Sequence, residues 1–166
     1  MSIETKHRRL GASIALLAVA GVFLSGCSGV RGGSDSPSIT RTMDQADQFS
    51  ATEIEHHEIS KTFGSTDLVI LRSKYSGDVE SGDESVRLAR YLLEAGYAVN
   101  DHKPTSGIRV ILQGYRGQPL GLALENSGWQ GVVYEESEPG RFFVNGAVLE
   151  NKLGKWPGRM PETAPH

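Results

Sequence analysis

Five side chains able to ligate a metal crowd into six positions of the chain: Glu53, Glu55, His56, His57 and Glu58. Imidazole nitrogens and carboxylate oxygens are what zinc and its neighbours take. A site needs convergence, and no His-x-x-x-His spacing is present. Adjacent histidines leave a strand or a helix in different directions, so the cluster reads as a solvated polar stretch and no metal site is expected. His102 lies in a polar loop beside Asp101, but a general base needs a partner within hydrogen-bond reach. No Gly-x-Ser-x-Gly elbow and no Ser-x-x-Lys pair supplies a nucleophile. Gly114, Gly117 and Gly121 are spaced like a glycine-rich loop. No Gly-Lys-Ser/Thr follows them and no Gly-x-Gly-x-x-Gly opens a helix, so hairpin turns are expected there. Trp129, Tyr134, Phe142 and Phe143 gather near the end of the chain. They read either as core or as a candidate partner face, since aromatic residues concentrate at interface centres. Catalytic residues and a conventional cofactor are not expected.

The remaining reactive side chain is Cys27, the only cysteine. It follows a basic leader with Lys6, Arg8 and Arg9 and an apolar run from Ile14 to Leu24, 11 residues long. A membrane-spanning helix needs about 20 residues, whereas a basic region, a short apolar region and small residues mark an export signal. Leu24-Ser25-Gly26-Cys27 resembles the lipobox of bacterial lipoproteins. The resemblance implies cleavage between Gly26 and Cys27, fatty acyl chains such as palmitate on the Cys27 sulfur, and acylation of the new amino terminus. Each buried methylene of such a chain contributes about 0.8 kcal/mol, and two or more chains give a stable anchor. Ser28 follows, where Asp is the usual inner-membrane retention signal, so an outer-membrane, periplasm-facing address is expected.

Three of the 17 basic and one of the 20 acidic side chains lie in residues 1–26, leaving 14 and 19, a net charge of −5 on the remaining 140 residues. That balance disfavours nucleic acid, which needs a basic surface, and electrostatic docking on anionic lipid. Membrane contact is assigned to the acyl chains. With Cys27 lipidated no disulfide is available, and the core must hold the domain.

The elements that position these residues are read in order. Residues 27–42 form a Gly/Ser-rich tether reaching about 20 Å. Met43 to Ser60 is the least legible stretch. Thr42 and Gln45 suggest a capping box and a helix, with a strand over Ile54 to Ile59 as the alternative. Leu68 to Leu71 is a continuous apolar run of strand length. Ser81 and Glu84 form a second capping box, followed by the stripe Val86, Leu88, Ala89, Leu92, Leu93, and Gly96 stands where a helix would end. Tyr97-Ala98-Val99 is expected to be extended. Ile108 to Gln113 and Pro119 to Leu124 read as strands. Trp129 to Glu135 and Arg141 to Val144 read as a hairpin, and Asn145-Gly146 as a tight turn into a last strand, Ala147 to Leu149. Residues 151–166, with three prolines, read as a disordered tail unless Trp156 docks it. The sum is a small α+β domain over residues 43–150: an antiparallel or mixed sheet with one amphipathic helix packed on one face.

This order of elements, with Gly96-Tyr97-Ala98-Val99 ending a Leu-rich helix and Trp156 and Arg159 near the carboxyl end, resembles the TrbH family of conjugal-transfer lipoproteins. The stretch Phe63-Gly64-Ser65-Thr66 stands where that family is proline-rich. The resemblance implies a non-enzymatic component of a conjugative type IV secretion apparatus with an envelope or secretion-system protein as partner. The alternative is a general envelope lipoprotein binding a periplasmic protein or a small ligand.

Overall fold

The computed structural model describes residues 32–79 and 81–165. Leu24, Ser25, Gly26 and Cys27 lie outside these residues. In chain order the elements are α1 (Ser36–Asp44), β1 (Phe49–Lys61), β2 (Gly64–Tyr75), α2 (Gly82–Tyr97), β3 (Gly107–Gln113), α3 (Leu120–Asn126), β4 (Val132–Tyr134), β5 (Arg141–Asn145) and α4 (Gly146–Leu153). The strands form one mixed sheet in the order β1-β2-β3-β5-β4. Only β2 and β3 run parallel, with α2 as their crossover; the other neighbours are antiparallel. The class is α+β, as expected, with a mixed sheet.

α2 starts at the capping box: Ser81 Oγ accepts from Glu84 N and Glu84 Oε2 accepts from Ser81 N, satisfying two orphan donors of the first turn. Its end differs from expectation. Gly96 and Tyr97 remain helical, and Ala98 closes the helix. Gly96 is small for packing, because a Cβ there would stand 3.2 Å from Ile108 Cγ2. Only Val99 of the expected extended triplet pairs, in a parallel bridge with Ser34.

Register assigns the sheet faces. Val69, Leu71, Ile108, Val110, Phe142 and Val144 share one face and join Leu88, Leu92 and Leu93 of α2 in a single buried cluster. Ile39 and Met43 of α1, Leu120 and Leu124 of α3, and Leu149 of α4 belong to that cluster. The helices therefore lie on one side of the sheet. Leu68 and Ile70, buried on the other side, stand outside the cluster, and among the described residues no helix covers them.

Other stretches depart from expectation or settle an alternative left open by the sequence. Within the expected tether, Ser36–Asp44 is helix: Asp35 Oδ1 accepts from Ser38 N at 2.8 Å, Pro37 fits the first turn, and Ile39 and Met43 bury one face. Thr42 caps nothing; its hydroxyl donates to Ser38 O within the helix. The Met43–Ser60 stretch is chiefly β1, which is the strand alternative and longer, with a bulge at Ala51 (φ 50°) where Asp44 Oδ1 holds Thr52 N. Pro119–Leu124 is not a strand: Leu120, Ala123 and Leu124 form the buried stripe of α3. Asn145-Gly146 is not a hairpin turn, since Asn145 Oδ1 accepts from Val148 N and caps α4. The tail is docked: Trp156 Nε1 donates to Val99 O at 3.0 Å, Gly158 N to Tyr97 O, and Gln48 Nε2 to Pro165 O.

Candidate functional site

Alternation along β1 separates the two adjacent histidines. His56 pairs in register with Val69 and turns to the helical side; His57 pairs with Leu68 and turns to the other. His56 Nε2 lies 3.2 Å from Ser36 Oγ, and that hydroxyl donates to Asp101 Oδ2 at 2.9 Å while Ser36 N donates to the same oxygen. Since the one hydroxyl proton goes to Asp101, Nε2 is assigned as the N–H donor. His56 Nδ1 is then a lone pair, buried and without a partner. The His102 ring stands 4.4 Å away. Burial lowers the His56 pKa most, and His102 adds to that; Asp101 and Asp67 oppose it. A nucleophilic serine gives its proton to histidine, with a carboxylate orienting the other ring nitrogen. Here the order is reversed, and the contacts act as a latch joining α1, β1 and the loop before β3. Ser36 and Asp101 are 65 residues apart, so their meeting was not visible from spacing.

On the opposite face, His57 Nε2 and Arg72 Nε both meet the Glu55 carboxylate, at 3.1 and 3.2 Å. These contacts, that with His57 foremost, hold the Glu55 pKa below its usual value. Glu53 and Glu58 are exposed. Among the described residues no three His, Cys, Asp or Glu side chains converge as a metal site.

The glycines divide. Gly114 (φ 85°) lets the loop after β3 approach the end of β2, where a Cβ would meet Tyr75 O at 2.7 Å. A cleft of about 430 Å³ opens there, lined among others by Tyr75, Gly77, Asp78, Tyr115, Arg116 and Gly117. It lies beyond the carboxyl ends of the parallel pair β2 and β3, a recurrent ligand position in α/β sheets. Gly121 is not in a turn as expected; it is helical and packs on the Tyr134 ring.

The four aromatic residues also divide. Trp129 and Phe142 are core, 5 % and 1 % exposed, which is the core alternative of the two readings and removes them from a partner face. Tyr134 and Phe143 are half-buried. Tyr134 Oη donates to Glu125 Oε2 at 3.2 Å. Phe143 lies on the helix-free face with its ring over Gly107, where a Cβ would stand 2.7 Å from Cε2. Register builds a row across that face: Val133, Phe143, Arg109, Ile70, Glu55. Val133 is 62 % exposed. With Tyr134, Glu135 and Arg141, the first three of the row line a shallow cleft of about 120 Å³.

The fold and this surface define a small α+β domain with helices on one sheet face and a partly apolar open face. Comparison with protein families, characterised proteins and solved structures finds no match for this chain.

Proposed function

We propose that this chain is a non-enzymatic lipoprotein anchored through Cys27 to the periplasmic face of the outer membrane, where it serves the structure or assembly of a conjugative type IV secretion apparatus. The observation that carries a docking role is the open row Val133, Phe143 and Arg109, in which an exposed valine and a half-buried phenylalanine lead up to a cation. Aromatic and Arg side chains are enriched at protein interfaces. The lipobox supports the address, and the resemblance to the TrbH family supports the apparatus.

The test is affinity purification of the tagged full chain from mildly solubilised membranes, paired with a mating assay. Secretion-channel subunits should co-purify in reproducible amounts and be lost with Val133→Glu, a change at an exposed position. Deleting the gene should abolish transfer, with rescue by the wild type and not by Cys27→Ser. Unchanged transfer after deletion overturns the apparatus. Cys27→Ser protein that keeps its acyl mass and its membrane partitioning overturns the anchor.

The cleft beside Tyr75 and Tyr115 favours a second reading, an envelope lipoprotein that holds a small ligand. Under that reading, native mass spectrometry of the protein from its own membranes shows a bound small molecule, and filling the cleft at its Gly117 side with Gly117→Leu displaces it.

A further inference from the structure

Three arginines lie on the helix-free face, and two have anions. Arg72 Nε meets Glu55 at 3.2 Å and Arg141 Nη1 meets Glu138 at 2.7 Å. The Arg109 side chain is half-buried and, among the described residues, makes no ion pair or hydrogen bond. Its cross-strand neighbours are Ile70 and Phe143, and Gly107 and Ile111 flank it on the same face of β3. Glu55, the carboxylate of its own row, stands two strands away, about 10 Å, and is held by Arg72 and His57. Glu135 lines the same cleft as Arg109 but forms no ion pair with it, and a partly buried cation beside apolar groups gains from a paired counter-charge.

We infer that this face receives an amphipathic helix of a partner protein whose apolar stripe carries one Asp or Glu, and that the carboxylate pairs with Arg109. The inference rests on the docking role proposed above. A helix is the element that fits a sheet face; an added strand fits an edge. Val133, Phe143 and Ile111 meet the apolar stripe, as the opposite face meets α2. Planar Arg–carboxylate pairing then fixes where along the stripe the partner sits. With Arg72 and Arg141 already paired, Arg109 is the cation on this face left to select a carboxylate in the partner's stripe.

The test places a photo-cross-linking residue at position 133 of the full chain in its native membranes and sequences the cross-linked peptides. The expected product is a segment of another protein with apolar residues at i, i+3 or i+4 and i+7 around an Asp or Glu. Arg109→Glu should cut its yield about tenfold or more, as loss of one member of a desolvated charge pair does, while Arg109→Lys retains a measurable part. The melting temperature of each variant checks the fold. Cross-links to a second copy, to lipid alone, to a segment without a carboxylate, or yields indifferent to Arg109→Glu overturn the inference. A cross-linked acidic helix from a protein outside any secretion channel keeps the inference and removes the apparatus, so the two failures read differently.

Discussion

Protonating His56 would set a positive charge against the His102 ring, 4.4 Å away, in a place where burial already pushes its pKa below 6.5. His57 pushes weakly the same way, and Asp101 and Asp67 do not reverse the balance. The unfolded chain binds this proton near pH 6.5, the native chain only at lower pH. In the window below 6.5 the unfolded state therefore holds more protons, and stability falls as pH drops through it. Thermal melts between pH 7.5 and 5.0 should show that fall. His56→Gln, whose amide can still meet Ser36, should flatten part of it. An unchanged slope in that variant removes His56 as a contributor. Gly121 gives a residue-scale prediction of another kind. A Cβ there would stand 2.4 Å from the Tyr134 Cβ, far inside contact distance, so β4 or α3 must shift to admit it. Gly121→Ala should cost about 2 kcal/mol in urea unfolding, the usual range for overpacking. A neutral result would mean that the short β4 gives way freely.

Among the elements, α2 depends most plainly on local chemistry. Ser81→Ala removes the acceptor that holds Glu84 N and should cost about 1 kcal/mol, measured by denaturant midpoint. That same locality made α2 legible beforehand: cap, stripe and spacing all pointed one way. β3 was legible because a short apolar run had no other home. α3 was not, because seven residues give barely two turns of periodicity, and Pro119 and Gly121 look like strand and turn punctuation. Pro119 instead fixes φ at the helix cap, and Gly121 makes room for Tyr134. Asn145-Gly146 shows the same ambiguity, since the side chain that suits a hairpin turn also caps a helix. α1 was hidden inside a linker-like composition, with Asp35 and Pro37 as its only start signals and Ile39 and Met43 as its only apolar pair. The candidate site was legible in part. Phe143 and Tyr134 stand out by type, but Arg109 is exceptional only because register sets it between Ile70 and Phe143, and ion pairs across strands cannot be assigned before register is known.

At the scale of the whole molecule, the two ends of the described chain meet at the carboxyl end of α2. Ser34 bridges Val99, with Ser34 N donating to Ala98 O and Asn100 N to Ser34 O. Trp156 Nε1 reaches the Val99 carbonyl from the tail, and a Cβ on Gly32 would stand 2.8 Å from Pro157 O. The chain thus enters the domain between the helix end and the tail. If the anchor lies at Cys27, any pull from the membrane reaches the domain at this clamp before it reaches the sheet. Trp156→Ala removes a hydrogen bond and a partly buried ring, together worth about 2 kcal/mol. Local opening draws on such contacts without unfolding the core. The variant should therefore speed amide exchange at Ser34 and Asn100 far more than at Val110 in β3. Equal acceleration at all three would show that clamp and sheet open together as one cooperative unit.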